Sequence, residues 1–335
     1  MPDPDSPVRS VLAAAVEALG GQPREGQALM AEAVGTALEG HQHLLVQAGT
    51  GTGKSLGYLV PSLLHDDRVV VATATLALQH QLVERDLPRL VEAVGSMPGV
   101  DASFAVLKGR SNYACLHRVR EGAPDDQGEL IQAEAALGAL GKKVLELREW
   151  AEDEAGSRGS GERDNAPRHT DKEWRQISVS ARECLGATRC PFGEECFAER
   201  AKEKAQKSHL VVTNHSLLAI DAIEGIPMLP EYDAVIVDEA HELVARVTQA
   251  STAELWAAEV ERAAKRAMKH ADDAAHDLAD ASDTLRAALG ETAPGRIETL
   301  PEELADALAL VRDAARACVS AFPRAEPGGE PDAGL

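Results

Sequence analysis

Three groups of residues in this chain combine type and spacing in ways that could do chemistry. Ala48-Gly49-Thr50-Gly51-Thr52-Gly53-Lys54-Ser55 fits a phosphate-binding loop, with Ala48 replacing the first glycine of the strict pattern. Glycines let the backbone wrap closely around a phosphate, so that amide N–H groups and the following helix N-terminus face the anion. Lys54 adds a point charge toward the β and γ oxygens, and Ser55 offers a hydroxyl to Mg²⁺. Val235-Ile236-Val237-Asp238-Glu239-Ala240-His241 places two adjacent carboxylates after an apolar run. Asp238 suits a Mg²⁺ held through water, and Glu239 suits the orientation and deprotonation of an attacking water. An Asp-Glu pair after apolar residues is common at strand ends, but beside a phosphate loop it reads as nucleotide hydrolysis.

The third group is Cys115, Cys184, Cys190 and Cys196, with 68, 5 and 5 residues between successive members. Structural zinc sites favour pairs separated by two to four residues, so the spacing is poor for a zinc ribbon. Four thiolates are the usual complement of a [4Fe-4S] cluster, and Cys190-Pro191 matches the Cys-Pro end of cluster-binding runs. Spacing alone leaves cluster, zinc and unligated core cysteines open. Cys318 stands apart and reads as a small core residue. His209, His215 and His241 could be metal ligands, but hydrogen bonding at strand ends suits them better.

The elements that must position these groups follow from periodicity. Residues 7–19 and 26–39 carry apolar positions at helical spacing, and His43 to Gln47 is a short apolar run entering the glycine loop, giving helix, strand, loop, helix. Val69 to Thr73 predicts a strand, and Leu76 to about Val94 a helical stretch ending near Gly95 and Pro98. Phe104–Leu107, Leu210–Val212 and Ala234–Val237 are further short apolar runs of the kind buried in parallel sheets. Together they predict a doubly wound α/β core. Glu152 to His169 is polar and glycine-rich and reads as a mobile loop. Residues 252–318, rich in alanine and alternating charge, predict a helical subdomain.

The chain has 335 residues, 44% of them hydrophobic and 27% charged, which suits a folded protein of roughly two domains. No run of 18 apolar residues occurs, and Met1-Pro2-Asp3-Pro4-Asp5 lacks a signal-peptide pattern, so we expect a cytoplasmic protein with no membrane association. Five cysteines without a secretion signal argue against a disulfide framework. A net charge of −21 argues against a nucleic-acid partner until its distribution is examined. Only residues 104–120 and 168–207 carry a positive balance, and they contain all four grouped cysteines with Tyr113, Trp174, Phe192 and Phe197. Any contact with nucleic acid is expected there.

The combination resembles a known family. Ala48 to Ser55, the Asp238-Glu239-Ala240-His241 box, and Thr73-Ala74-Thr75 followed by Gln79 and Gln81 look like motifs I, II and Ia of superfamily 2 helicases. Arg24 and Gln27 resemble the adenine-reading Q motif. Leu107-Lys108-Gly109-Arg110-Ser111-Asn112-Tyr113-Ala114-Cys115, the three later cysteines and Val211 to Leu218 are similar to the iron-sulfur DNA helicases of the DinG and XPD group, more closely to the DinG type. The resemblance spans about residues 20–250. It implies a RecA-like motor domain in two parts, 1–107 and 208–250, an iron-sulfur domain over 108–207 and a partial helical arch over 251–335.

The activity it implies is that of an ATP-dependent motor moving 5′ to 3′ on single-stranded DNA. Cys115, Cys184, Cys190 and Cys196 would hold a [4Fe-4S] cluster, with ATP as substrate and Mg²⁺ on Ser55 and Asp238. Lys54, Asp238, Glu239 and His241 would be catalytic. Arg24, Gln27 and residues Ala48, Gly49, Thr50, Gly51, Thr52, Gly53, Lys54 and Ser55 would hold the nucleotide. Thr73, Thr75, Lys108, Arg110 and Tyr113 would meet DNA. The later helicase motifs are not in this sequence, so a second motor domain with its arginine finger is expected outside it, and the chain is expected to be a monomer. A non-translocating ATPase, or a fragment that binds ATP and DNA without turnover, are the alternatives.

Overall fold

The computed structural model describes residues 6–49, 52–122, 139–224 and 227–322. The chain divides into two compact units, Met1–Ser251 and Thr252–Leu335. In chain order the first contains α1 (Pro7–Ala18), α2 (Glu25–Glu39), α3 (Lys54–Leu64), β1 (Val69–Thr73), α4 (Leu76–Gln81), α5 (Leu87–Val94), β2 (Phe104–Val106), α6 (Leu116–Glu121) and α7 (Ala139–Ser157). It continues through α8 (Asp171–Trp174), α9 (Phe197–Lys207), β3 (Leu210–Asn214), α10 (His215–Glu224), β4 (Ala234–Val237) and α11 (Leu243–Ser251).

β1 is Val-Val-Val-Ala-Thr with every residue buried, as a β-branched run covered on both faces should be. It pairs in parallel with β3 on one side and β4 on the other, and β2 extends the sheet beyond β3, giving the order β2-β3-β1-β4. This is the parallel α/β architecture of a RecA-like fold. Register places Thr73 opposite Asn214 and Ala72 opposite Val237, so the C-terminal ends of three strands finish level. In open parallel sheets, ligands bind at that end. One apolar cluster joins α1, α2, α3 and α5 to one sheet face through Leu12, Leu59, Leu63, Leu90 and Val71. A smaller one lies on Val70, Ala105 and Val211.

The predicted strand at His43–Gln47 does not form. The run carries no strand assignment and pairs with none of the four strands, and Leu45 is 96% exposed. An apolar run becomes a strand only when a ladder partner lies beside it, and here none does. The helical stretch 76–94 forms with a π turn at Leu82–Asp86. Pro88 lacks an N–H and its ring crowds the carbonyl four residues earlier, which a wider turn relieves.

The described residues within 113–122 and 139–198 build their own core from Tyr113, Leu147, Trp174, Ile177 and Phe197, all nearly fully buried. Glu152 to His169, expected to be a mobile loop, is tied down instead. Glu152–Ser157 completes α7, Ala114 N donates to the Gly161 carbonyl, and Gly161 N donates to Glu154. Gly161 has φ +61°, and a Cβ there would fall 2.3 Å from the Phe197 ring, so this crossing requires glycine. The glycine that made the sequence look mobile is a close approach.

The second unit holds α12 (Ala257–Ala267), α13 (Asp272–Glu291) and α14 (Glu302–Ala321), packed through an alanine-rich core with Leu278, Leu285 and Val311. Cys318 is buried in that core, its Sγ donating to the Ala274 carbonyl. Among the described residues, no helix is long and apolar enough to cross a membrane.

Candidate nucleotide and metal-cluster site

The phosphate loop meets the acidic box at the strand ends. Gly53 sits at φ +82°, where a side chain would be strained, and hands the chain to α3 with Lys54 as its first helical residue. Lys54 Nζ donates to Glu239 Oε1 at 2.6 Å. The contact pushes the Lys54 ammonium above and the Glu239 carboxyl below its ordinary range. Asp238 continues β4, its N–H bonded to the Ala72 carbonyl, and one carboxylate oxygen accepts from Tyr58 Oη at 3.2 Å while the other accepts from Glu239 N. Burial first, then the Asp238 charge, raise the Tyr58 phenol well above its usual range, so it stays a donor. Glu239 has φ +53°, uncommon for a residue with a Cβ.

The geometry brings Lys54 against Glu239, with Asp238 beside Glu239 and tied to Tyr58, so a cation and two carboxylates meet at the start of α3. His241 is 71% exposed by side chain, with Nδ1 3.5 Å from Glu239 Oε2. Gln27 is buried, and its Nε2 donates to the Gly53 carbonyl at 2.8 Å. This contact holds the loop. Arg24 precedes α2 and is exposed. Ala48, Gly49 and Thr52 are in place, with Thr52 Oγ1 closing a turn onto the Gly49 carbonyl. Thr50 and Gly51 lie outside the described residues.

Sequence reasoning missed Tyr58, which sits four residues after Lys54, one helical turn on; a polar aromatic in an apolar helix was the available signal. It gave His215 only a generic strand-end role. His215 is fully buried, and its Nε2 lies 2.9 Å from the Asp238 carbonyl. His209 likewise bonds the Ser62 carbonyl.

The four grouped cysteines line a single cavity with Arg110 and Phe192. All are free thiols, close enough that neighbouring sulfurs, after burial, push the Cys115 and Cys190 thiols up. Among the described residues no three Cys, His, Asp or Glu side chains converge as ligands of one metal ion. A multi-iron cluster is far larger than one ion, so its thiolates must stand around a space rather than touch a point. A shared cavity with four thiols and a neighbouring guanidinium fits an anionic cluster better than a zinc ion. Metal loading would have to displace the thiol protons.

The residues expected to meet DNA separate on inspection. Lys108 is 2% exposed by side chain and is held by Glu162 and Asp164, the latter at 2.8 Å. Tyr113 is buried, and its Oη accepts from Lys108 N. Both side chains are buried, Tyr113 in the core of the cysteine region and Lys108 in its ion pairs, so neither presents a free surface here. Arg110 pairs with Glu199, and Arg118 with Glu183. Arg189, Arg200 and Lys202 instead donate to the carbonyls of Leu185, Gly159 and Pro227, which leaves their charge uncompensated by those contacts. Thr73 is buried, and Thr75 is exposed at the N-terminus of α4, its side chain accepting from Leu78 N.

Comparison with known proteins agrees with this arrangement. Residues 27–113 match the DEAD/DEAH box helicase family. The chain is 48% identical over 310 residues to the ATP-dependent helicase DinG of Mycobacterium tuberculosis, covering 89% of this chain and 46% of that protein. It is 37% identical over 228 residues to the ATP-dependent DNA helicase YoaA of Escherichia coli, covering 67% of this chain and 34% of the relative. A third relative, 32% identical over 66% of this chain and 23% of its own length, is the 3'-5' exonuclease DinG of Bacillus subtilis. The chain thus spans about half the length, or less, of the curated relatives it matches. With the phosphate loop, the acidic box and the parallel sheet that joins them, these matches show that the chain belongs to the DinG-type helicase family.

Proposed function

We propose that this chain is the nucleotide- and cluster-binding part of an ATP-dependent DNA helicase that couples ATP hydrolysis to 5′ to 3′ movement on single-stranded DNA. The observation that carries the reading is the 2.6 Å contact between Lys54 and Glu239, which joins the phosphate loop to the acidic box across the sheet. In this reading ATP phosphates take Lys54 from Glu239, and the freed carboxylate orients the attacking water. Ser55 and Asp238 would hold Mg²⁺, with Asp238 fixed by Tyr58 and its own neighbour's N–H. Cys115, Cys184, Cys190 and Cys196 would hold the [4Fe-4S] cluster. When bound, it supplies iron–thiolate links that tie the segment before α6 to the segment before α9.

The test is Mg·ATP binding to two variants. Lys54→Ala removes the cation that serves bound state and transition state together, so affinity should fall steeply. Glu239→Gln removes a base and also the competing partner of Lys54, so affinity should hold or rise while hydrolysis is lost. Equal loss of affinity in both variants would contradict the assignment.

A further inference from the structure

We propose that His215 is a positioning residue for Glu239, and that its second ring nitrogen takes its hydrogen bond from Arg246 on α11; this rests on the nucleotide-hydrolysis reading above. The imidazole is fully buried at the start of α10, directly after β3. Its Nε2 lies 2.9 Å from the carbonyl oxygen of Asp238, which can only accept, so Nε2 carries the proton and Nδ1 is left as an acceptor. That carbonyl belongs to the peptide joining Asp238 to Glu239, and Glu239 is the residue held at φ +53°. A strained residue keeps such a conformation only when its surroundings over-determine it. Asp238 N on Ala72, Tyr58 on the Asp238 carboxylate and His215 on the Asp238 carbonyl are three such constraints. The third fixes the peptide that aims Glu239.

His215 Nδ1 is a buried acceptor without a partner, and Arg246 Nε is a buried donor without one. Their helices, α10 and α11, pack against each other. Buried donors and acceptors are rarely left unmade, and here one of each lies on adjoining helices. Arg246 already donates through Nη1 to Gln249, so its guanidinium is held along α11 with Nε turned inward. Closing the pair would link the Glu239 peptide to α11, the last helix before the chain enters its second unit at Thr252. A small shift of α11 would then be felt at the catalytic carboxylate.

The experiment uses the full 335-residue chain labelled with ¹⁵N-histidine, with His215→Gln identifying the signals of that ring. In the wild type, Nε2 should be protonated and Nδ1 should show the shift of a hydrogen-bonded acceptor. Arg246→Leu should move Nδ1 to the value of a free acceptor and leave Nε2 in place. A wild-type Nδ1 that does not respond to Arg246→Leu overturns the pairing. Single-turnover hydrolysis at saturating ATP supplies the second readout. His215→Leu and Arg246→Leu should each slow it about tenfold with ATP affinity within about twofold, and the double variant should be no slower than the slower single. His215→Gln, whose carboxamide still donates, should recover most of the rate. Independent, multiplying losses, or an affinity that falls in step with the rate, overturn it. Should His215→Leu fail to fold, the half-exposed Arg246 position and the Gln variant still decide. A wild type that binds no ATP refutes the hydrolysis reading instead, while the spectrum continues to report on the pair.

Discussion

Lys54 and Glu239 are 185 positions apart in sequence and in direct contact in the fold. Their chemistry was legible from the phosphate loop and acidic box because each motif is contiguous and its spacing is dictated by a phosphate or a metal. Tyr58 was not, because its partner Asp238 is 180 positions away and a polar aromatic in an apolar helix does not by itself name its partner. Tyr58→Phe should keep the packing of this buried ring and remove one donor, a loss of about 0.5–1.5 kcal/mol. We expect it as weaker ATP binding in the presence of Mg²⁺ and unchanged binding without it; equal weakening in both conditions would show that Tyr58 does not act through Asp238. Gln27 illustrates the same limit from another side. Its sequence context suggests a base reader, yet its amide is spent on the Gly53 carbonyl. A Cβ at Gly53 would fall 2.2 Å from Gln27 Nε2 and would also force a side chain into φ +82°. Gly53→Ala should therefore weaken ATP binding by about tenfold or more through backbone strain and loss of the Gln27 contact together.

At the scale of elements, β1, β3 and β4 were readable because a strand buried on both faces is a continuous apolar run. The His43–Gln47 run shows where that signal stops: periodicity and composition describe one segment, whereas a strand needs a neighbour. Glu152–His169 shows the converse, because polar and glycine residues that suggest mobility are fixed by distant partners. Lys108 is the central one of these. Its ammonium is buried between Glu162 and Asp164, and removing it leaves two carboxylates facing each other. Breaking a fully buried pair costs about 3–5 kcal/mol; with Glu162 half-buried and Asp164 exposed the cost is smaller, and Lys108→Met should still lower the midpoint of urea unfolding. Adding Glu162→Gln and Asp164→Asn should return part of it. A stable Lys108→Met protein with reduced DNA affinity would instead restore the surface role expected from sequence.

Across the whole molecule, a net charge of −21 conceals a cysteine region in which cations and thiols are concentrated. Several of those cations are neutralised by Glu162, Asp164, Glu199 and Glu183, so fewer remain for phosphates than the sequence count suggests. Arg189, Arg200 and Lys202 are the better candidates, and electrostatic binding through about three phosphate contacts should fall steeply with salt. An arginine supplied by a second motor domain contributes about 10³ to 10⁵ in rate to related phosphoryl transfers, and the later helicase motifs are not among these 335 residues. The chain alone is therefore expected to turn ATP over slowly; DNA-stimulated turnover of about one per second or more would contradict this.

The most direct test of the account is a pair of fluorescence titrations, one with labelled single-stranded DNA and one with labelled ATP, on anaerobically purified wild type and Cys190→Ser. The wild type should carry about four irons per chain and the variant should lose them. Loss of iron should unfold the cysteine region and lower DNA affinity by about tenfold or more, while ATP affinity, built on the separate sheet, stays within about twofold. Zinc in place of iron, DNA affinity unchanged after the cluster is lost, or loss of both affinities together would contradict it.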